Sequence, residues 1–184
     1  MKKRTFIFLG VFLVVAAMWF SRKIIYRVVV TTHLNEKLAE FELQDLDGNL
    51  ILSADYKGKV LVLDFWTTWC GVCLKAFPDF QEVYEKFKDH PDVAFLALNM
   101  GRKDPIEQAR AFIGTNSYSF PMAYDEGSRI SDRLEINHLP TLLVIDRSGR
   151  IRIRHIGYSK AMEDYATRIR EYIEEFVGED RPST

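Results

Sequence analysis

The chain has only two cysteines among its 184 residues, too few for a fold stapled by several disulfides or for a zinc site with four thiolates. It also lacks an excess of charge of either sign, since 25 Lys and Arg residues face 26 Asp and Glu residues. A net charge of -1 gives no reason to expect nucleic-acid binding, for which a basic surface is typical. The 47% apolar and 28% charged residues are the composition of one globular domain with room for a short appendage.

Acidic residues are absent from the start of the chain, where the first is Glu36. Cations at residues 2–4 precede sixteen uncharged, mostly apolar residues, Thr5 to Phe20, which is the layout of an export signal or a signal anchor. A helix of that length spans about 24 Å, slightly less than the ~30 Å hydrocarbon core of a bilayer. We expect residues 1–22 to form a transmembrane signal-anchor helix, with cleavage as a signal peptide as the alternative, and residues 23–37 to form a linker.

The rest of the sequence predicts an α/β domain over residues 38–178, followed by a tail of residues 179–184. Short apolar strands flank a turn-rich stretch at residues 45–49 and predict a hairpin. Two nearly continuous apolar runs, 60–66 and 92–99, predict buried strands, and apolar residues at helical spacing predict a helix between them. The other expected elements are a helix capped at Asp104-Pro105 that ends at Gly114, a short helix at 128–134, strands at 141–145 and 151–156, and a last helix at 159–177.

Both cysteines fall in one C-x-x-C motif, Cys70-Gly71-Val72-Cys73, at the point where the first buried strand gives way to a helix. A cysteine at a helix N-terminus lies beside free N–H groups and the positive end of the helix dipole, and both favour the thiolate over the thiol. Cys73 follows one helical turn later, within reach of a disulfide. The motif predicts exchange chemistry in which an exposed Cys70 attacks and a more buried Cys73 then resolves the mixed disulfide.

Three other uses of a cysteine pair fit the sequence less well. A structural zinc site needs two more ligands, but the four histidines are scattered along the chain. Covalent haem attachment requires a histidine directly after the second cysteine, where Leu74 stands. A purely structural disulfide stays an alternative, although a loop this short gives little entropic stabilisation.

The segment from Leu63 to Cys73, LDFWTTWCGVC, closely resembles the active-site segment of thioredoxins. Over roughly residues 38–177 the chain is also similar to the membrane-anchored TlpA/ResA-like branch of that superfamily, with a leading hairpin and with Pro78 five residues after Cys73. This resemblance implies a thioredoxin fold, which is a central mixed sheet flanked by helices. It further implies an N-terminal hairpin and a central insertion between about residues 99 and 133.

The resemblance also implies roles for residues around the cysteines. The segment His138-Leu139-Pro140-Thr141 resembles the cis-proline loop that lies against the C-x-x-C, where the backbone beside Leu139 would pair with an extended substrate segment. Asp64 matches the buried aspartate that takes a proton from the resolving thiol, and burial should raise its pKa; an aspartate bonded to backbone N–H groups is the alternative. Trp69 matches the tryptophan beside the nucleophile, with ordinary packing as the alternative. The candidate catalytic residues are Cys70, Cys73 and Asp64, and the candidate substrate-binding residues are Trp69, Leu139 and Pro140.

Three departures from the family pattern limit what the resemblance implies. Val72 stands where thioredoxins have proline, so their redox potential is not transferable to this chain. Ala76 replaces a glutamate of many cytochrome-maturation relatives, which weakens assignment to that subgroup. Ala97 stands where thioredoxins have a lysine that pairs with the buried aspartate, so Asp64 would be the only acid–base group close to the thiols.

We therefore expect a membrane-anchored, extracytoplasmic thiol–disulfide oxidoreductase that exchanges disulfides with protein cysteines. By the resemblance the protein would act as a reductant, and it would then receive electrons from a membrane-embedded thiol donor. We expect it to be a monomer. No cofactor is expected, because the two sulfurs carry both electrons.

Two alternatives to this function stay open. A copper chaperone or assembly factor would bind metal through the cysteine pair, but such sites tend to use a wider spacing. A peroxiredoxin-like peroxidase would want a Pro-x-x-x-Thr segment before the cysteine, where Trp69 stands instead.

Overall fold

The computed structural model describes residues 30–159 and 164–178. Within them, eight strands form one mixed sheet in the order β1-β8-β7-β4-β5-β6-β2-β3. The neighbours β4 and β5, and β5 and β6, run parallel, and the other neighbouring strands run antiparallel. The strands are β1 (Val30–Lys37), β2 (Glu42–Asp45), β3 (Leu50–Leu52), β4 (Val60–Trp66), β5 (Val93–Asn99), β6 (Met122–Tyr124), β7 (Thr141–Ile145) and β8 (Arg150–Ile156).

Helices cover both faces of this sheet. They are α1 (Gly71–Phe87), α2 (Ile106–Thr115), α3 (Arg129–Arg133) and α4 (Tyr165–Gly178). On one face, Val62 and Trp66 of β4 pack against the apolar sides of α1 and α4. On the other face, Leu61, Leu63 and Phe65 pack with residues of α3 and of the chain that follows it. The central strand β4 is therefore buried on both faces, as its continuous apolar sequence predicts.

The register of the sheet brings two loops together at the carboxyl end of β4. The chain leaves β4 at Trp66 and enters α1 at Gly71, so the C-x-x-C motif lies just past this end. The first residue of β7, Thr141, pairs with Phe65 near the same end. Because β7 runs antiparallel to β4, the residues that precede Thr141 reach the segment that leads into α1.

The mixed sheet flanked by helices, the leading hairpin of β2 and β3 and the buried strands β4 and β5 are confirmed. The central insertion contributes α2, α3 and the short strand β6, which was not predicted. Residues 30–37, assigned to the linker, instead form β1, which pairs with β8 from Val30 opposite Ile156 to Lys37 opposite Arg150. Seven of the eight side chains of β1 are exposed, so no alternation of apolar residues marks it as a strand in the sequence.

Several predictions concern residues outside the two ranges that the structure describes. The signal anchor of residues 1–22, the first part of the predicted linker and the tail of residues 179–184 lie there. The last helix was predicted from residue 159, and its described part is Tyr165–Gly178. Among the helices of residues 30–159 and 164–178, none has the length and apolar character needed to cross a membrane.

Candidate active site

Cys70 and Cys73 form a disulfide, with their Cα atoms 5.3 Å apart. Cys70 is the N-cap residue of α1, and its Sγ accepts a hydrogen bond from the backbone N–H of Cys73 at 3.2 Å. Cys73 is completely buried, whereas 6% of the Cys70 surface remains exposed. Cys70 is thus less open than the sequence predicted, but it is the more accessible sulfur. The first turn of α1 would stabilise negative charge on it.

Cys70 borders a groove of about 380 Å³ that lies between the start of α1 and the loop before β7. One wall of the groove is formed by the start of α1 and the residue before it, Trp69, which is 56% exposed. The indole Nε1–H of Trp69 donates to the carbonyl of Arg102 at 3.0 Å. Val72, the residue inside the motif, lines the same wall and is 38% exposed. The structure therefore places Trp69 beside Cys70 with most of its surface open to solvent. The groove is lined by Trp69, Cys70, Val72, Met100, Arg102 and residues 136–139.

The loop before β7 supplies the opposite wall. The peptide bond between Leu139 and Pro140 is cis, as the resemblance implies. Pro140 is buried, and its carbonyl accepts a hydrogen bond from the N–H of Gly157 at 2.9 Å. Leu139 lines the groove, and neither its N–H nor its carbonyl bonds to another residue of the described ranges. These two groups are the kind of unpaired backbone that an added strand requires.

Asp64 is 2% exposed and lies near the middle of β4. Its neighbours across the sheet are Ala97 on β5 and Leu142 on β7, neither of which offers a side-chain donor. Its Oδ1 has no hydrogen-bond partner in the described part of the chain. Desolvation by burial raises the pKa of this carboxyl well above its usual value.

The alternation of side chains along β4 puts Asp64 on the same face as Val62 and Trp66. Those two residues belong to the core cluster that also contains Cys73. The carboxyl group therefore lies on the face that α1 covers, where the buried Cys73 also lies. Its pairing with Ala97 agrees with the expected loss of the lysine partner that thioredoxins have.

Tyr165, at the start of α4, is a buried titratable group on the apolar side of that helix. Burial raises its pKa well above the usual value, and the negative charges of Asp64 and Asp79 raise it further. Its ring lies against that of Tyr158, with centroids 5.2 Å apart, and the Tyr158 hydroxyl donates to Asp79 at 3.0 Å. Helical spacing of apolar residues can indicate that such a tyrosine is buried, but it gives no sign of the carboxyl groups nearby.

Asp104 is a second buried carboxylate near the site, with 1% exposure. The sequence assigned it to the cap of α2, yet its side chain bonds across the chain to the segment before Cys70. It accepts hydrogen bonds from the backbone N–H of Thr68 at 2.6 Å, from the Thr68 hydroxyl, and from Asn99 Nδ2 at 2.7 Å. Sequence reasoning missed the bonds of Asp104 to Thr68 and of Arg102 to Trp69, because they join residues 36 and 33 positions apart.

No group of three or more His, Cys, Asp and Glu side chains suited to a metal ion is found in residues 30–159 and 164–178. His138, which lines the groove, therefore does not combine with the cysteine pair into a three-ligand site. The copper-binding alternative is not favoured by this geometry.

Comparisons with known proteins agree with the fold and with the cysteine pair. The chain matches the AhpC/TSA family over residues 34–154. The thiol-disulfide oxidoreductase ResA of Bacillus subtilis (strain 168) is 31% identical over 157 residues, which cover 82% of this chain and 83% of the relative. ResA of Bacillus anthracis is 32% identical over 138 residues, which cover 74% and 78% of the two chains.

Two solved structures extend the comparison to three dimensions. StoA from Bacillus subtilis superposes with a TM-score of 0.62 at 26% identity, covering 73% of this chain and 96% of its own. The exposed lipoprotein thioredoxin of Streptococcus pneumoniae strain TIGR4 superposes with a TM-score of 0.62 at 27% identity, covering 74% and 99%. The chain belongs to the AhpC/TSA family and, within it, to the thioredoxin-fold thiol–disulfide oxidoreductases related to ResA.

Proposed function

We propose that this protein reduces disulfides of client proteins outside the cytoplasm, with Cys70 as the nucleophile and Cys73 as the resolving thiol. One observation carries the assignment of the two cysteines. Cys70 borders the groove at the N-cap of α1, whereas Cys73 is completely buried behind it. The greater exposure of Cys70 supports it as the cysteine that a client disulfide reaches first.

The reaction is two successive exchanges. The Cys70 thiolate attacks one sulfur of the client disulfide, which forms a mixed disulfide and releases the other client sulfur as a thiolate. Cys73 then loses its proton and attacks Cys70, which restores the Cys70–Cys73 disulfide and releases the second client thiolate. Protons from solvent neutralise the client thiolates. The client gains two electrons, and the cysteine pair loses two.

Asp64 would accept the proton of Cys73 in the second step. A carboxylate with no donor among its strand neighbours and with a raised pKa is a stronger base than an exposed one. Its place on the face covered by α1 puts it on the side of Cys73. The proton held by Asp64 must return to solvent before the next cycle.

The loop before β7 would hold the client. The unbonded N–H and carbonyl of Leu139 can pair with an extended client segment, while Pro140 fixes the course of the loop beside Cys70. Trp69, open on the other side of the groove, offers an apolar surface to the same segment.

Each cycle leaves the protein oxidised, so a reductant must restore the two thiols. We assign this role to a membrane-embedded thiol donor, which fits a protein held at the membrane by residues 1–22. The name of the pneumococcal relative, an exposed lipoprotein thioredoxin, supports an extracytoplasmic domain. A membrane-impermeant maleimide should label Cys70 in intact, reductant-treated cells; labelling only after lysis would contradict this location.

Insulin reduction by dithiothreitol tests the activity. The full-length protein, purified in mild detergent, should accelerate precipitation of the insulin B chain, and Cys70→Ser should remove the acceleration. Lys57→Ser is the matched control, because Lys57 is an exposed turn residue before β4 and thus far from the groove. Activity that survives Cys70→Ser in a folded protein would refute the proposal.

A further inference from the structure

Arg102 contacts both walls of the groove beside Cys70. On one side its backbone carbonyl accepts the indole N–H of Trp69 at 3.0 Å. On the other side its guanidinium donates to the carbonyl of Ile136 at 3.4 Å and forms an ion pair with Asp132. One residue therefore links the segment before the nucleophile to the loop that carries the cis proline.

The loop around Arg102 is itself held in place. The carboxylate of Asp104 bonds to Thr68 and to Asn99, and the Asn99 side chain accepts the N–H of Gly101 at 2.9 Å. Gly101 has φ +64°, and a Cβ there would lie 2.5 Å from the carbonyl of Asp125. Because the loop is fixed on both sides of Arg102, a change at Arg102 alters the walls of the groove rather than the loop.

The groove that Arg102 spans is apolar close to the reacting sulfur. Trp69 and Val72 are two of the four large apolar side chains that stand exposed in the described residues. Met100 and Leu139 line the same space. A volume of about 380 Å³ is at the lower end of the range of ~300–1,000 Å³ typical of ligand pockets, enough for a side chain with its backbone.

We propose that Arg102 is a positioning residue that sets the separation of the two walls, so that the groove accepts an apolar side chain next to the disulfide of a polypeptide client. The inference rests on the proposed function, since it needs Cys70 to attack that disulfide. The unbonded backbone groups of Leu139 suit an extended chain, so the client is a polypeptide. The client side chain next to the disulfide is apolar, because Trp69 and Val72, which it would contact, are apolar. Arg102 acts on the attack step, in which the client's sulfur must reach Cys70.

Two peptides with an activated disulfide test this selectivity. Gly-Leu-Cys-Leu-Gly and Gly-Ser-Cys-Ser-Gly are each linked through cysteine to nitrothiobenzoate, whose release reports the attack of Cys70. The reduced full-length protein should react at least about tenfold faster with the leucine peptide, the discrimination that one apolar pocket provides. Arg102→Gln keeps the backbone carbonyl that bonds to Trp69 but shortens the side chain that reaches Ile136 and Asp132, and it should lower this ratio to about twofold.

Controls separate the positioning role from a general loss of structure. Arg170→Gln removes the ion pairs of Arg170 on α4 with Glu82 on α1 and with Asp164, and it should keep the wild-type ratio. A small symmetric disulfide without a peptide measures the reactivity of Cys70 itself, which a merely damaged variant would lower together with both peptides. A wild-type ratio near one, or a ratio unchanged in Arg102→Gln, would overturn the inference. Failure of the reduced protein to react with any disulfide would instead refute the proposed function.

Discussion

Asp64 and Asp104 are two almost equally buried carboxyl groups on either side of the C-x-x-C motif, with 2% and 1% of their surfaces exposed. Their surroundings are opposite. Asp104 accepts three hydrogen bonds, two from Thr68 and one from Asn99, whereas the Oδ1 of Asp64 has no partner in the described ranges. Burial alone does not decide what a carboxyl group does.

The difference in bonding assigns different roles to the two groups. A carboxylate that satisfies donors on two segments holds those segments together, and its loss leaves buried donors unpaired. A carboxyl group without such donors keeps its proton more tightly, which suits it for proton transfer. We therefore assign structural support of the active-site loop to Asp104 and acid–base chemistry to Asp64.

The largest expected effect is that of Asp64→Asn on the second exchange. An amide cannot accept the proton of Cys73, so resolution of the mixed disulfide should slow by about 100-fold, within the range of general-base catalysis. The lifetime of the mixed disulfide, followed by acid quench and mass spectrometry in a single turnover, measures this step. Asp89→Asn, an exposed change at the far end of α1, is the control; equal lifetimes in the two variants would remove Asp64 from the mechanism.

Asp104→Asn should lower the free energy of unfolding by about 2 kcal/mol, since the amide presents N–H groups to donors and leaves one of them unpaired in the interior. Urea unfolding of the oxidised protein at pH 7 measures the change. A loss below about 0.5 kcal/mol, the size of an ordinary surface effect, would show that the three hydrogen bonds do not support the loop.

The same change at Asp64 should act in the opposite direction on stability. The pKa of Asp64 is raised in the folded state, so its charged form destabilises the fold as pH rises from the unfolded pKa of about 3.9 through the folded pKa. Asp64→Asn should therefore increase the free energy of unfolding at pH 7.

Urea unfolding of wild type and Asp64→Asn at several pH values checks the sign. The gain in Asp64→Asn should shrink as pH falls and should vanish below the unfolded pKa of about 3.9, where Asp64 is protonated in both states. A variant that is less stable than wild type at pH 7, or a difference that does not depend on pH, would contradict the raised pKa.

A substitution with a smaller expected effect would give Asp64 a hydrogen-bond donor, as Asp104 has. Ala97→Ser places a hydroxyl donor directly beside Asp64 on β5, which stabilises the carboxylate and lowers its pKa. The pH profile of mixed-disulfide resolution should move to lower pH by up to about one unit. Ala123→Ser, an equally buried change in the core cluster on the other face of the sheet, is the control and should leave the profile in place.

The role of Asp64 can be predicted from the sequence, whereas the role of Asp104 cannot. Asp64 is recognisable because a charge inside VLVLDFW is costly, and because that segment resembles thioredoxins. Asp104 precedes Pro105 at the start of a helix, a local pattern that favours a cap, whereas its actual partner Thr68 lies 36 residues earlier. Local patterns report local contacts, so a side chain that bonds to a distant segment gives no sequence signal.

The same reasoning separates the predictable part of the fold from the rest. β4 and α1 have strong periodic signals because they face the core, and both were predicted within a few residues. β1 has mostly exposed side chains and is held through its backbone by β8, so the sequence assigned it to a linker. Arg102 carries no local signal either, because the two walls that it joins meet only in the folded chain.

The order of attack by the two cysteines is the central claim, and trapping of a mixed disulfide tests it most directly. Reduced Cys73→Ser, mixed with a disulfide client such as insulin, should accumulate a covalent adduct on Cys70, because no resolving thiol remains. Reduced Cys70→Ser should form no comparable adduct, because Cys73 is completely buried. An adduct on Cys73 of equal yield in Cys70→Ser would contradict the assignment of nucleophile and resolving thiol.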